Sequence, residues 1–297
     1  MVHRRVVVFG YGPLAVTSLQ TLAALGVKTE TLVVPGNRTG DDVEVAASYA
    51  RSMGIPTRVQ PARKRIAPFL AQIRALGPEL FFVWSYSMLL PQELLGLAPL
   101  GAVNLHGGLL PQYRGGHVMN WAIANGEQET GATLAYLDEG IDTGPVIAER
   151  RFPIEAHDHA GTVRDKLKLA GAALLHDWWP AIERGTAPRV PQDESSARYY
   201  RMRTADDGLI DWSMSNRRIH NLVRALTAPW PGAFATVEGT RLVIRRTEPA
   251  GTSSAAPGTI VSTSNGDVRV ATGEGDLRIL DAEPAWARLT VGKRLNS

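Results

Sequence analysis

The sequence has no cysteine among its 297 residues. That absence excludes a disulfide framework, a thiolate-held zinc or iron–sulfur site and a cysteine nucleophile. Lysine is scarce too: five of the 32 basic residues are Lys and the rest are Arg, set against 29 acidic residues. A net charge of +3 is far from the clustered excess of a bulk nucleic-acid binder. No apolar run nears the ~20 residues that a membrane span needs. The opening Met1-Val-His-Arg-Arg5, followed by a short Val-rich run, is too short for a secretory signal. These absences point to a cytoplasmic enzyme or binding protein whose chemistry rests on side chains other than thiols.

What is present is globular in character. Hydrophobic residues make up 44% and charged residues 21%, and the length suggests two domains with cores of ordinary size. The first half alternates short apolar runs with longer amphipathic ones. Val6–Phe9, Thr29–Val34, Leu80–Trp84 and Ala102–His106 read as buried strands, with helices over Leu14–Leu25, Asp41–Met53 and Arg65–Leu76. That alternation predicts a parallel sheet covered on both faces. Ligands of such sheets bind beyond the carboxyl ends of the strands, which here means near Tyr11, Trp84 and His106. Two further strands, Thr133–Leu137 and Pro145–Phe152, precede a long helix over Gly161–Arg184. Gly185–Arg203, with Pro188 and Pro191, reads as a linker. After a helix at Asn216–Leu226, five short stretches suggest a small β-barrel: Ala233–Val237, Arg241–Arg246, Gly258–Thr263, Val268–Thr272 and Leu277–Glu283.

Gly10-Tyr-Gly-Pro-Leu-Ala15 matches a dinucleotide fingerprint. A dinucleotide site also needs an acidic residue at the end of the second strand. That strand instead ends in Val34-Pro35, and Glu30 lies inside it, so a tight strand-to-helix turn is the better reading and a nicotinamide-dependent dehydrogenase the poorer one. The densest polar cluster is Asn104-Leu-His106-Gly-Gly-Leu-Leu-Pro-Gln-Tyr-Arg-Gly115. Asn104 and His106 lie two apart on one strand and share a face. An amide donor beside an imidazole suits a reaction that builds charge on a carbonyl oxygen and moves a proton; a pair of hydrogen-bonded caps is the plainer alternative. In the loop Asp138–Gly144, Asp142 reads either as a solvated hairpin turn or as a carboxylate that orients an imidazole. His157 and His159 lack a third metal ligand, and no metal is expected. His117 begins a helix.

Asn104, His106, the run Leu109-Leu-Pro-Gln-Tyr-Arg-Gly115, Asn120-Trp-Ala-Ile-Ala-Asn-Gly126, Glu129-Thr-Gly131 and Asp138–Gly144 together resemble the formyltransferases that use 10-formyltetrahydrofolate. Asn221-Leu-Val-Arg-Ala225 with Pro229-Trp-Pro-Gly-Ala-Phe234 resembles the C-terminal domain of the methionyl-tRNA formyltransferase type. Arg203-Thr-Ala-Asp-Asp207, Asp211-Trp212 and the ending Gly292–Ser297 are similar to the UDP-4-amino-4-deoxy-L-arabinose branch, from which Gly108 and the Asp138–Gly144 loop depart.

The resemblance implies a Rossmann-like α/β domain with a parallel sheet over residues 1–188. An OB-like β-barrel domain would follow over residues 204–297. It implies Asn104, His106 and Asp142 as the catalytic residues. The folate would lie against Phe82, Trp84, Tyr86, Met88, Leu89, Asp138 and Gly140, held mainly through main-chain groups of Tyr86 and Met88. Tyr11, Arg114 and Arg203 would meet the acceptor. That acceptor is expected to be a primary amine on a sugar nucleotide, with methionyl-tRNA or a hydroxyornithine-like amine as alternatives. A non-catalytic folate-binding or scaffold protein is the remaining alternative. The loop Pro35–Asp42 is short and ends in two acids, where bacterial-type tRNA enzymes of the family tend to carry a basic insertion. Nucleic acid and membrane are therefore not expected as partners.

Overall fold

The computed structural model describes residues 4–264, 267–284 and 289–296. Met1–His3 of the opening run and Ser297 of the final one lie outside the described residues. The first elements are β1 (Val6–Gly10), α1 (Gly12–Ala24), β2 (Thr29–Pro35), α2 (Asp41–Ser52), β3 (Thr57–Gln60), α3 (Ile66–Ala75) and β4 (Leu80–Trp84). They continue with α4 (Gln92–Leu95), β5 (Ala102–His106), β6 (Arg114–Gly115), α5 (Val118–Asn125), β7 (Glu129–Tyr136), β8 (Val146–Pro153) and α6 (Ala160–Glu183). After β9 (Tyr199–Tyr200) come α7 (Asn216–Ala225), β10 (Ala233–Val237), β11 (Thr240–Ala250), β12 (Ile260–Ser264), β13 (Asp267–Ala271) and β14 (Asp276–Glu283). Two compact units result. One holds the residues up to Gly115, Gly131–Phe152 and Lys166–Tyr199; the other holds Gly116–Thr130, Pro153–Asp165 and the described residues from Tyr200 onward.

The first unit is built on a seven-stranded sheet in the order β3-β2-β1-β4-β5-β7-β8. β1 and β4 are apolar at every position because both faces of the sheet centre are covered, and all five residues of each are buried. One apolar layer gathers Val7, Phe9, Val33, Phe69, Ile73, Phe81 and Val83. On the α6 side, the ring of Phe82 meets that of Trp179 edge-on at 6.4 Å. The chain runs from β1 outward through β2 and β3, then returns to β4 on the other side. That reversal opens a crevice at the carboxyl ends of β1 and β4. Gly10 closes β1 there; a Cβ on it would lie 2.6 Å from the Trp84 carbonyl oxygen and 2.8 Å from Ala15 Cβ. The glycine fingerprint thus has a packing role in a tight turn into α1.

Two expectations need correction. The sheet is parallel from β3 to β5, but β7 runs antiparallel to β5, with Asn104 opposite Ala135 and His106 opposite Thr133. The β5–β7 connection leaves and re-enters the sheet at the same end, so no crossover helix is required between them. Of Gly185–Arg203, read as a linker, the residues up to Tyr199 are part of the first unit. Val146 and Val190 exchange main-chain hydrogen bonds of 2.8 and 3.0 Å, Arg114 N donates to Arg198 O at 3.0 Å, and Arg198 N donates to Pro111 O at 3.1 Å.

The second unit carries a five-stranded antiparallel sheet in the order β10-β11-β14-β13-β12. Its inner face packs with α7 around Ile210, Trp212, Ile219, Val223, Ile244 and Ile279. Among the described residues, the two edge strands are bridged by the last segment of chain. Ile260 N donates to Lys293 O at 2.9 Å, Leu295 N to Gly258 O at 2.9 Å, and Asn296 N to Thr236 O at 2.8 Å. This returns the barrel-like closure expected for the domain. No helix among the described residues is long and apolar enough to cross a membrane.

Gly10→Ala places a methyl group against backbone on one side and Ala15 on the other, and neither can rotate away. We expect a loss of about 1–3 kcal/mol in unfolding free energy, the usual cost of overpacking, read from urea titration. An unchanged midpoint would show that the turn has room the distances deny.

Candidate active site

The site grows from the end of β5. Asn104 and His106 face the same side, and the loop between β7 and β8 brings Asp142 to them. Asn104 Nδ2 donates to Asp142 Oδ1 at 3.3 Å. His106 Nδ1 lies 3.5 Å from the same oxygen. The other carboxylate oxygen of Asp142 accepts from Gly115 N at 2.8 Å. The His106 ring is fixed from behind: its Nε2 lies 2.6 Å from Tyr113 O. A carbonyl oxygen only accepts, so Nε2 carries a proton and the nitrogen facing Asp142 is the one left for chemistry. His106 is 6% exposed, and the Asp142 side chain 13%. The site is therefore shielded but reachable.

The loop that carries Asp142 is tied internally. Asp138 Oδ1 accepts from Gly140 N at 3.0 Å and from Thr143 Oγ1 at 2.6 Å. A Cβ at Gly144 would lie 1.9 Å from Tyr136 O, so only glycine allows the loop to fold back this closely. Asp142 itself has φ 55°, a left-handed conformation that costs a non-glycine residue about 1–2 kcal/mol. Such a conformation persists only where the surroundings hold it. After β5, Thr133 Oγ1 pins the turn, donating to Gly108 O at 2.7 Å and accepting from Leu110 N at 3.3 Å.

Arg114 is not presented to an acceptor. Its side chain is fully buried. Its guanidinium donates to Glu194 at 2.9 and 2.6 Å, to Gln192 Oε1 at 3.1 and 2.9 Å, and to the Tyr199 hydroxyl at 2.7 Å. The bonds to Glu194 hold its pKa above the ordinary arginine value and hold that of Glu194 below the ordinary carboxylate value. Gln192 also donates through Nε2 to Asp142 O at 2.9 Å and to Gly144 O at 2.7 Å. Thr133, Gln192, Glu194 and Tyr199 escaped the sequence reading. A Pro-flanked glutamine in an aperiodic stretch carries no local signal of a partner 50 residues away.

Of the residues assigned to the folate, Phe82 and Trp84 are buried, 0% and 1% exposed. The Trp84 indole lies against Gly171 of α6, where a Cβ would come within 2.6 Å of the ring. Their side chains belong to the core rather than to a wall. The segment after β4 is different. Tyr86 is half-buried, its hydroxyl donating to Gln60 Oε1 at 2.9 Å, and burial pushes its pKa up. Gln60 Nε2 donates to Leu89 O at 3.0 Å, Asn37 Nδ2 to Ser87 O at 3.3 Å, and Tyr11 N to Ser85 O at 3.1 Å. The carbonyls of residues 85, 87 and 89 are thus engaged. Among the described residues, no hydrogen bond reaches the main-chain groups of Tyr86 or Met88. Met88 is half-buried, and Leu89 is 67% exposed. Tyr11 sits in the crevice with the Arg38 guanidinium 4.8 Å from its ring centroid; burial raises its pKa, partly offset by that cation.

Arg203 belongs to the second unit. Its guanidinium stacks 4.3 Å from the Trp121 ring centroid and donates to Asp207 O at 2.9 Å, and its main-chain N donates to His117 Nδ1 at 3.1 Å. Burial lowers its pKa. No group of three or more His, Cys, Asp or Glu that could hold a metal occurs among the described residues.

An amide, an imidazole and a carboxylate thus meet at a strand end, beside the crevice. Comparison with known proteins supplies the family. The formyl transferase model matches residues 4–177, and the formyl transferase C-terminal domain model matches residues 203–293. The chain belongs to the formyl transferase family and is an enzyme of that class. It is 36% identical over 293 residues to a methionyl-tRNA formyltransferase of Myxococcus xanthus, covering 97% of this chain and 93% of that protein. It is 35% identical over 301 residues to one of Pelobacter propionicus, covering 100% of this chain and 92% of the other. Among solved structures, the N-formyltransferase of Helicobacter canadensis, in complex with folinic acid and dTDP-3-aminofucose, superposes with a TM-score of 0.71. That match has 19% identity and covers 94% of this chain and 99% of the other. At that identity the likeness speaks for the fold.

Arg114→Ala should cost about 2–3 kcal/mol in unfolding free energy, because it strips several charge-assisted hydrogen bonds from a buried position. Urea titration checks this. An unchanged stability with a raised acceptor KM would instead restore Arg114 as an acceptor contact.

Proposed function

We propose that this formyltransferase takes its formyl group from 10-formyltetrahydrofolate and passes it to the α-amino group of methionyl-tRNA. Asn104, His106 and Asp142 form the reacting group. For the chemistry, the supporting observation is the convergence of these three side chains in one shielded place. For the acceptor, it is the 36% identity to a methionyl-tRNA formyltransferase across nearly the whole of both chains. The sugar nucleotide expected from the sequence has weaker support, since the solved sugar enzyme shares only 19% identity.

The steps follow from the donors and acceptors present. The pterin edge of the folate pairs with the open main-chain groups of Tyr86 and Met88. The neutral amine attacks the formyl carbon and forms a tetrahedral intermediate. Asn104 spends one N–H on Asp142, which leaves its second N–H for the developing oxyanion. His106 Nδ1 takes the proton that the amine sheds, and the resulting imidazolium has an acceptor at each nitrogen, Tyr113 O and Asp142 Oδ1. Collapse of the intermediate breaks the bond to the folate nitrogen, which receives the proton from His106.

A second reading keeps the nucleotide-linked amino sugar as acceptor. One observation favours it: β2 and α2 are joined by only the residues between Pro35 and Asp41, and Asp41, Asp42 and Glu44 occupy the first turn of α2. Carboxylates there disfavour a phosphate backbone.

Asn104→Ala should lower turnover by roughly 10²–10³, and His106→Ala and Asp142→Asn by roughly 10²–10⁴ each. The losses should not add, because the three act on one intermediate. Competition at equal enzyme concentration decides the acceptor. Methionyl-tRNA should be formylated faster than UDP- or dTDP-linked amino sugars, with a rate that falls steeply with salt. Faster formylation of an amino sugar, insensitive to salt, would overturn the tRNA reading and leave the reacting group intact.

A further inference from the structure

Asp142 takes part in the reaction through its carboxylate, yet it sits on a loop and in a left-handed conformation. Something outside the loop must fix its main chain. Among the described residues, the one side chain that hydrogen-bonds that main chain is Gln192, whose Nε2 donates to the carbonyls of both Asp142 and Gly144. The orientation of its amide is settled by its neighbour. Arg114 offers only donors, and two of them, Nε and Nη2, point at Gln192 Oε1. The amide oxygen must therefore face Arg114, and the NH₂ must face the two loop carbonyls. Arg114 is in turn immobilised by Glu194 and Tyr199. The residue after it, Gly115, holds the Asp142 carboxylate from the other side. The residue before it, Tyr113, holds His106.

We propose that Gln192, locked by Arg114, is a positioning residue that aims the Asp142 carboxylate at Asn104 and His106. This rests on the reading of Asp142 as part of the reacting group. Gln192 touches neither folate nor acceptor and acts only through Asp142. Its own contribution is one amide that spans the two loop carbonyls. The buried Arg114 guanidinium serves that amide rather than a substrate anion.

Gln192→Glu is the discriminating variant. It keeps an oxygen for Arg114 but sets a second oxygen against the two carbonyls that need donors. The variant should lose roughly 10–10² in kcat, the scale on which a misplacement of about 1 Å acts. Its KM for 10-formyltetrahydrofolate should stay within about twofold, since the clamp does not touch the donor. The same substitution made on Asp142→Asn should cost less than about threefold, because the carboxylate it aims is already gone. Gln192→Asn, too short to span both carbonyls, takes its place with the same readouts if Gln192→Glu does not fold. Equal losses in both backgrounds, or a loss carried by folate KM, would overturn the clamp. So would an undiminished kcat in Gln192→Glu beside a slow Asp142→Asn. An Asp142→Asn protein as fast as the parent would instead strike down the catalytic reading of Asp142, and the clamp with it.

Discussion

The left-handed backbone of Asp142 is the constraint on which the site depends. Aspartate tolerates that conformation better than most residues, but in a free loop nothing would fix the direction of its carboxylate. Here three residues in a row, Tyr113 to Gly115, supply a carbonyl to His106, a guanidinium to Gln192 and an N–H to Asp142. The imidazole and the carboxylate are thus referenced to one short stretch of main chain. Their separation does not have to be maintained by flexible side chains. Preorganisation of this kind lets a few dipoles stabilise a developing oxyanion without reorganising at the moment of reaction.

The sheet explains why these groups meet where they do. Asn104 and His106 emerge at the carboxyl end of β5, one strand from the crevice between β1 and β4. The turn at Gly10 and Tyr11 and the segment from Ser85 to Leu90 line that crevice. Their alternate carbonyls are consumed by Tyr11, Asn37 and Gln60, and among the described residues nothing bonds the intervening main chain of Tyr86 and Met88. A bound ring that reads main-chain donors and acceptors needs no charged partner, which suits a segment as apolar as Phe82–Leu90. The antiparallel entry of β7 next to β5 sets Thr133 opposite His106, and Thr133 then pins the turn that follows the histidine.

Much of this was legible in the sequence, and the reasons differ by element. The buried strands β1 and β4 announce themselves as unbroken apolar runs, and the barrel strands β10 to β14 as short alternating ones. β3 was missed because Thr57–Gln60 is an edge strand with only Gln60 buried, so it carries no hydrophobic pattern. Asn104 and His106 were visible as a polar pair on a strand. Asp142 was ambiguous, since two glycines and two acids also describe a solvated turn; the close approach of Gly144 to Tyr136 fixes the path of the loop, and the role of the carboxylate belongs to the proposal. Arg114 was visible as a cation beside the polar cluster but misplaced. Its burial depends on Glu194 and Gln192, which lie in a proline-bearing stretch that reads as a linker. Local pattern reports what a residue can do. It does not report which distant segment will occupy it.

The most direct measurement is a crystal structure with 5-formyltetrahydrofolate, a stable analogue of the donor. The pterin should be hydrogen-bonded to the main chain of Tyr86 and Met88, with the formyl oxygen within hydrogen-bond reach, about 3 Å, of Asn104 Nδ2 and beside His106. A folate bound elsewhere on the chain, or one whose formyl group points away from Asn104 and His106, would contradict that placement.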